Sequence, residues 1–238
     1  IHANFFVEKV MALLDKIGHV LTSDITKDFK LKKKNVSVIE ESTFIDQLKK
    51  RRNISELGDK LRFSQTYLTE LIQESVRSCP SAHHSQSTRV VILYGNSHHK
   101  FWNIVKEMQR KIVPFNIFAG TAVKIDQCLK AYGTVLFYED QAVIKQLQKK
   151  RPFDAEEFPI WSEQTSGMAQ FAVWTALADS DIGASLQHYN PIIDEEIAKS
   201  FDIDENWKLR AQLVFGSIEQ EIVEKPFIDY EQQFKVFH

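Results

Sequence analysis

The stretch from Phe158 to Leu177 constrains the fold more than any other part of the sequence. Its large apolar residues, among them Trp161, Met168 and Trp174, fall on nearly every side of a helix, with little charge to face solvent. A helix that is hydrophobic all round is buried inside a domain rather than laid on its surface. We therefore predict a central helix here, buried on most sides, with the other elements packed around it.

The remaining patterns predict a few strands among many helices. Further helices are predicted at Thr43–Arg52, from the cap Ser64 to before Pro80, around Lys100–Gln109, and after Pro191. Strands are predicted at Arg89–Tyr94, Thr134–Tyr138, Gly183–Gln187 and Leu209–Phe215. The Phe-rich stretch from Pro114 to Gly120 is expected to be irregular. This mixture is typical of an α+β domain.

The first 40 residues differ from the rest. An amphipathic stripe covers Asn4 to Leu21, and a polar, lysine-rich stretch follows it. We predict a helical appendage and linker at residues 1–40 and the main domain at residues 41–238. A nucleic-acid-binding arm is the less favoured interpretation of these lysines, because the formal net charge of the chain is -2.

Net charge, cysteine spacing and the length of apolar runs argue against a nucleic-acid-binding, a disulfide-rich and a membrane-spanning protein. The near-neutral charge provides no electrostatic reason to expect nucleic acid as a partner. The two cysteines, Cys79 and Cys128, have neither a CxxC nor a zinc-type spacing, so we expect no metal site, no disulfide framework and a reducing compartment. No uninterrupted apolar run is long enough to span a bilayer, and charges break the N-terminal apolar stretch. The sequence thus indicates a soluble, cytoplasmic protein without a membrane partner.

The sequence lacks the common hydrolase and nucleotide motifs, namely GxSxG, HExxH, the P-loop and GxGxxG. Polar groups cluster instead at the ends of elements. Arg51, Arg52 and Asn53 close a helix and suit a phosphate, although two arginines at a helix end also simply oppose its dipole. The Pro80–Ser87 loop and the Ser185–Asn190 segment present hydroxyl, amide and imidazole groups.

Six segments, in this order, resemble the nitroreductase family. They are RRNISELGDKL (51–61), CPSAHHSQSTRVVIL (79–93), YGTVLFYED (132–140), FPIWSEQTSGMAQFAVWTAL (158–177), GASLQHYNPIID (183–194) and WKLRAQLVFGS (207–217). The branch they resemble holds copper-induced bacterial nitroreductases and fungal nitroreductase-like proteins linked to fatty-acid regulation. The resemblance extends over roughly residues 42 to 238.

The resemblance implies a fold, a cofactor and an assembly. The implied fold is α+β and nitroreductase-like, with a small central mixed sheet surrounded by helices. The implied assembly is a homodimer that exchanges C-terminal segments and holds one FMN per subunit between the chains. Such a dimer would bury the aromatic tail, which carries Phe227, Tyr230, Phe234 and Phe237.

The resemblance also assigns candidate FMN-binding residues. Arg51, Arg52 and Asn53 match the phosphate-binding triplet, with Asn53 in place of a hydroxyl residue. The segment expected to reach over the flavin from the other subunit comprises Pro80, Ser81 and Ala82, with His84 where many members have Asn and Gln86 matching the Gln of the family. The residues matched to the flavin ring and its N5 edge are Gln164, Leu186, Gln187 and His188.

Two further points concern cations. The cation expected on the phosphate near the C-terminus is assigned to Lys225, with Arg210 as a second candidate that could equally pair with a carboxylate. Many relatives have a lysine two residues after the triplet, where this chain has Ser55. Lys124 and Lys130 are candidates to replace it beside N1 of a reduced flavin.

The implied activity is that of an NAD(P)H-dependent oxidoreductase. A ping-pong cycle would pass hydride from NADH or NADPH through flavin N5 to a nitroaromatic, quinone or similar electron-poor acceptor. No side chain need act as a nucleophile, and His188 either donates a proton or only forms a hydrogen bond. The alternatives are a flavin-binding regulatory or lipid-signalling protein with incidental redox activity, and a pseudo-enzyme without FMN.

Overall fold

A computed structural model describes residues 43–224 and 226–238 of the chain. Of these, residues 43–222 belong to one compact unit and residues from 223 onward to another. The predicted appendage at residues 1–40, its boundary with the main domain, and Lys225 lie outside the described residues, so these predictions stay predictions.

The sheet of the main unit is built around one long strand. The described strands are β1 (Leu57–Gly58), β2 (Thr88–Tyr94), β3 (Gly133–Asp140), β4 (Gly183–Gln187) and β5 (Trp207–Ile218). Strand β5 pairs with β3 along one edge and with β4 and β1 along the other, and β2 pairs with β3. These ladders are antiparallel, and parallel pairing occurs at the isolated bridge between Asn53 and Ala184. The predicted α+β class is confirmed.

Helices of the main unit surround this sheet, and one short helix belongs to the unit that begins at residue 223. Those that the structure describes are α1 (Thr43–Lys50), α2 (Gln65–Arg77), α3 (Gly95–Ile112), α4 (Phe115–Leu129), α5 (Gln141–Lys150), α6 (Phe158–Asp179), α7 (Asp194–Phe201) and α8 (Tyr230–Gln233). The hydroxyl of Ser64 accepts from the amide of Tyr67 at 3.1 Å, which confirms the predicted cap.

Alternation along the strands divides the core into two layers. Val135 and Phe137 of β3 face α6 and α2, where they pack with Leu68 and Val173. Leu136 and Tyr138 face the opposite side and pack in the layer of α3, α4 and α7, which contains Trp102, Ile125 and Ile197. The sheet is therefore buried on both faces.

The prediction of irregular chain at Pro114–Gly120 is wrong, because α4 begins at Phe115. The residues of α4 that are fully buried, Ile125 and Cys128, lie near its end. In its first two turns Phe115 and Ile117 are exposed, so the stretch carries no amphipathic pattern. Packing of the later turns against α3 fixes a helix that its beginning does not reveal.

Helix α6 begins at the predicted Phe158 and ends at Asp179, two residues beyond the predicted Leu177, but one of its faces is open. Phe158, Ala169, Val173 and Leu177 are buried against the sheet and α2. Ile160, Gln164, Met168 and Phe171 recur every three or four residues and are exposed. In a single chain, an apolar stripe of the central helix therefore faces outward.

Candidate functional site

The side chain of Arg51 lies just past α1, against the C-terminal half of α6. Its guanidinium carbon is 4.6 Å from the centroid of the Trp174 ring and 5.7 Å from that of Phe171. Within residues 43–224 and 226–238, its buried Nε has no hydrogen-bond partner. Burial first, and the charge of Arg52 second, lower the pKa of Arg51 below its usual value. A desolvated cation with an unused donor favours an anion as its ligand.

Arg52 is oriented differently from Arg51. Its Nη1 donates to the carbonyl oxygens of Lys49 at 2.7 Å and Arg51 at 3.0 Å, and so stabilises the end of α1. Its own carbonyl accepts from Nε1 of Trp174 at 3.2 Å. The interpretation of Arg52 as a residue that completes a helix end thus applies, while Arg51 retains donors for a ligand.

Asn53 is fixed by the first residues of β4. The amide of Ile54 donates to the carbonyl of Ala184 at 3.0 Å beside the parallel bridge. The hydroxyl of Ser185 donates to Oδ1 of Asn53 at 3.0 Å and accepts from Nε2 of Gln187 at 2.8 Å. With its Oδ1 engaged, Asn53 has its amide N–H groups available. The structure therefore brings Asn53 and Gln187 together.

The other two predicted residues of this segment follow the alternation of the strand. Leu186 packs at the edge of the core layer beneath α6. His188 lies just past the end of β4 with an exposed side chain, and no hydrogen bond, ion pair or ring contact joins it to another described residue. Its imidazole is thus accessible beside the segment that carries Gln187.

The 80–87 loop, comprising residues 80 to 87, forms a second polar cluster. It contains a 3₁₀ turn at Ala82–His84, and the hydroxyl of Ser81 accepts from the backbone amide of Gln86 at 3.0 Å. The side chains of His84 and Gln86 are hydrogen-bonded to each other. His83, His84 and Gln86 have φ angles of 53°, 54° and 47°, a left-handed conformation that costs energy for non-glycine residues. Strain of this kind is common in loops that present groups to ligands.

The two clusters lie at different places along α6. The ring of His83 packs against Phe158 and Trp161 near its N-terminal end, with centroids 5.6 and 5.4 Å apart. Arg51 packs against Trp174 near its C-terminal end. At 1.5 Å per residue, Trp161 and Trp174 are separated by about 20 Å along the axis. Gln164 is exposed on the helix between them.

Several other predicted residues have contacts with residues outside the two clusters. Nε of Arg210 donates to Glu163 of α6 at 2.8 Å, which confirms the interpretation as a strand residue paired with a carboxylate. The amide of Ser55 donates to the side chain of Gln220 at 2.8 Å. Lys124 and Lys130 are exposed on and just after α4, and Lys130 lines a cavity with Glu56 and Asp59.

Sequence reasoning did not predict a role for two of the residues that contact Arg51, Arg52 and Asn53. Ser185 joins Asn53 to Gln187, and two-residue alternation along β4, which puts Ser185 and Gln187 on one face, could have indicated it. Trp174 supports both arginines, and nothing in the local sequence pairs it with residues so distant in the chain.

Comparison with known proteins identifies related sequences. The profile of the Nitroreductase family matches residues 48–217. The putative nitroreductase HBN1 of Saccharomyces cerevisiae is 33% identical over 190 residues, which cover 79% of this chain and 94% of HBN1.

Solved structures of nitroreductases are also similar to this chain. Nitroreductase CinD from Lactococcus lactis in complex with chloramphenicol is 45% identical with a TM-score of 0.76, and the match covers 82% of this chain and 100% of CinD. CinD structures with 4-nitrophenol and with nicotinic acid match similarly, with TM-scores of 0.75 and 0.73. A putative nitroreductase in complex with FMN from Desulfovibrio desulfuricans shares the fold at 16% identity, with a TM-score of 0.61 over 84% of this chain and all of that one.

Within residues 43–224 and 226–238, no helix combines the length and the apolar composition needed to cross a bilayer.

Proposed function

Since this chain belongs to the nitroreductase family and is an oxidoreductase, we propose that it binds FMN and passes electrons from NADH or NADPH to nitroaromatic, quinone or similar electron-poor acceptors. The observation that carries the proposal is the Arg51 corner. A partly desolvated guanidinium is held over an aromatic ring, its Nε is unpaired among the described residues, and the amide of Asn53 follows two residues on.

This corner fits the phosphate of a flavin nucleotide. Arg51 offers charged N–H donors in a rigid fork, and a phosphate satisfies them better than water does in a partly buried position. Asn53 would add an amide N–H group. Gln187 is the last residue of β4 and His188 follows it, and both would lie along the flavin ring system. Arg52 would contribute mainly by fixing the end of α1.

A second subunit would complete the site. The Arg51 corner packs on Trp174 and the 80–87 loop on Trp161, about 20 Å apart along α6, which supports a site whose two clusters come from different subunits. The exposed stripe of Ile160, Met168 and Phe171 supports a homodimer that covers it. We further propose that the C-terminal segments are exchanged between subunits, since Phe227, Phe234 and Phe237 are exposed in the single chain.

The chemistry would come from the cofactor, and the orientation from the protein. FMN, when bound, supplies a hydride acceptor and donor at N5. His188 is the proposed proton donor for the acceptor, because its imidazole is exposed beside β4 and histidine is the side chain that most often transfers protons in enzymes. The proposed cycle is ping-pong, so the nicotinamide donor leaves before the acceptor binds.

The CinD complexes guide the choice of substrates. Chloramphenicol and 4-nitrophenol are nitroaromatic compounds, and nicotinic acid contains the pyridine ring of a nicotinamide donor. A protein 45% identical to CinD is therefore best tested first with such compounds. The free thiols of Cys79 and Cys128 agree with a reducing compartment such as the proposed cytoplasm.

The test is an absorbance spectrum of the purified protein, followed by anaerobic addition of NADH or NADPH. We expect flavin bands that either nucleotide bleaches rapidly and that 4-nitrophenol or a quinone then restores. A colourless protein that cannot be reconstituted with FMN would overturn the proposal. A flavin that is bound but not reduced by either nucleotide would instead favour the regulatory alternative.

A further inference from the structure

The carboxyl group of Glu139 is fully buried at the end of β3, outside the set of residues assigned to the cofactor. Its solvent exposure is 0%. Its Oε2 accepts from the hydroxyls of Ser87 at 2.5 Å and Ser162 at 2.7 Å, and its Oε1 accepts from that of Thr88 at 2.6 Å. Fully buried glutamates are rare unless paired, and no cation of the described residues forms an ion pair with this one. Three hydroxyl groups support it instead.

The position of Glu139 follows from strand alternation. Val135 and Phe137 point into the core layer of α6, and Glu139 continues on the same face. There it meets Ser162 in the second turn of α6 and Ser87 and Thr88 at the start of β2. One carboxyl group thus links three separate elements.

Ser87 is also the last residue of the 80–87 loop, so Glu139 anchors one end of that loop. A second anchor lies beside it. Arg89 donates to the carbonyl oxygen of Gln86 at 2.7 Å and to the carboxylate of Asp140 at 3.0 Å. The amide of Asp140 donates to the carbonyl of Ser87 at 2.9 Å. The end of β3 therefore holds the loop through both a buried and a partly buried acid.

The loop needs such support. Left-handed φ angles at His83, His84 and Gln86 cost roughly 1 kcal/mol or more each for non-glycine residues, so the conformation persists only where surrounding contacts enforce it. Within the loop, the amides of His84 and Ser85 donate to the carbonyls of Ser81 and Ala82. These local bonds form one turn and cannot alone fix its direction.

We propose that Glu139 is a positioning residue: by binding Ser87 and Ser162 together, it holds the 80–87 loop in the conformation in which Ser81, His84 and Gln86 reach the flavin of the partner subunit. The part of this inference that concerns the flavin rests on the proposed function. The part that concerns the loop does not, because the contacts of Glu139 lie within one chain.

The test compares two serines of α6. Ser162→Ala removes one donor to Glu139 without changing the loop sequence. Ser166→Ala removes another buried hydroxyl one turn later, which accepts from Gln170 at 3.0 Å and forms no hydrogen bond with Glu139. Hydrogen–deuterium exchange is measured on both flavin-free variants and on the wild type, and FMN dissociation on the loaded proteins.

We expect Ser162→Ala to speed exchange of the His84, Ser85 and Gln86 amides about tenfold, the effect of one lost hydrogen bond to a charged acceptor. FMN should dissociate faster by a similar factor. Glu139→Gln, which keeps the size but leaves a single accepting oxygen for three hydroxyl groups, should increase both rates at least as much. Ser166→Ala should leave both rates at the wild-type value, whatever its effect on overall melting.

Loop amides that exchange in Ser162→Ala at the wild-type rate, or that accelerate equally in Ser166→Ala, would overturn the role of Glu139 even if the wild type binds FMN. A wild-type protein that binds no FMN would overturn the proposed function and the flavin contact. The exchange rates would still decide whether Glu139 holds the loop.

Discussion

The guanidinium of Arg51 lies over the ring of Trp174, 4.6 Å from its centroid, on the C-terminal half of the central helix. The ring fixes the plane of the cation, while the Nε–H group stays without a partner among the described residues. A cation held in this way has lost part of its hydration and little of its capacity to bind. This relationship makes Arg51 the residue whose replacement tests the cofactor site most directly.

Replacement of Arg51 by alanine should weaken FMN binding by roughly 10- to 100-fold, the usual effect of losing a charged hydrogen bond. Arg51→Lys should recover only part of the affinity, because an ammonium group lacks the rigid fork. Fluorescence titration of flavin-free protein measures both. Arg62, which lies 4.9 Å from the ring of Phe63, is the matched control, and Arg62→Ala should bind FMN normally. Equal losses in the two alanine variants would contradict the assignment.

His188→Asn should slow the half-reaction with the acceptor by roughly a hundredfold if the imidazole donates the proton. Reduction of the flavin by the nicotinamide donor should be unaffected. Stopped-flow measurement of the two half-reactions separates these effects. His99, an exposed histidine of α3, provides the control variant His99→Asn. A half-reaction with the acceptor that is as fast in His188→Asn as in the wild type would remove His188 as a donor.

His98 should make the protein less stable in mild acid. Burial first, and the charge of His99 second, lower its pKa from 6.5 to about 4, while Nδ1 is hydrogen-bonded to Thr134 at 2.9 Å. Between these values the unfolded chain binds more protons than the folded chain, so the free energy of unfolding falls as the pH drops through this window. The loss should reach about 3 kcal/mol.

Thermal melting of wild type and His98→Gln checks this. The variant should be the less stable protein at pH values above the window, because Thr134 loses a partner, and the difference should shrink as the pH falls from 6.5 toward 4. A constant difference between the two proteins across the window would show that His98 does not titrate as stated.

Replacement of Met168 tests whether a second subunit covers the apolar stripe of α6. Met168 is 40% exposed in this stripe, so Met168→Asp should place a charge in the proposed interface and convert the dimer to monomer. Phe153, which is fully exposed in a short turn after α5 and is not part of α6, is the control, and Phe153→Asp should remain dimeric. Sedimentation velocity measures the masses. Loss of FMN together with the dimer would support a shared site, whereas a monomeric wild type would contradict it.

Strands β2 to β5 and helices α1, α2, α3, α6 and α7 could be predicted because each has a local pattern, whereas the two-residue strand β1 and helix α5 were not predicted. β4 has the predicted bounds, Gly183–Gln187, and the Ser64 cap forms as expected. Helix α4 was missed because its exposed apolar first turns give no periodic signal. The open stripe of α6 was missed for the opposite reason, since an all-apolar helix does not show which face is covered within one chain and which is left for a partner.

By itself, the sequence determined the α+β class, the central helix and the segments that carry Arg51, Asn53, Gln86, Gln187 and His188, because residue type and spacing act locally. Only the tertiary structure decided that Arg51 rests on Trp174 while Arg52 closes α1, that Arg210 pairs with Glu163, and that Glu139 anchors the 80–87 loop. Except for the local bonds of Arg52 to Lys49 and Arg51, these relationships join residues far apart in the chain. The packing of α6 against the sheet brings them together, and no local pattern encodes such distances.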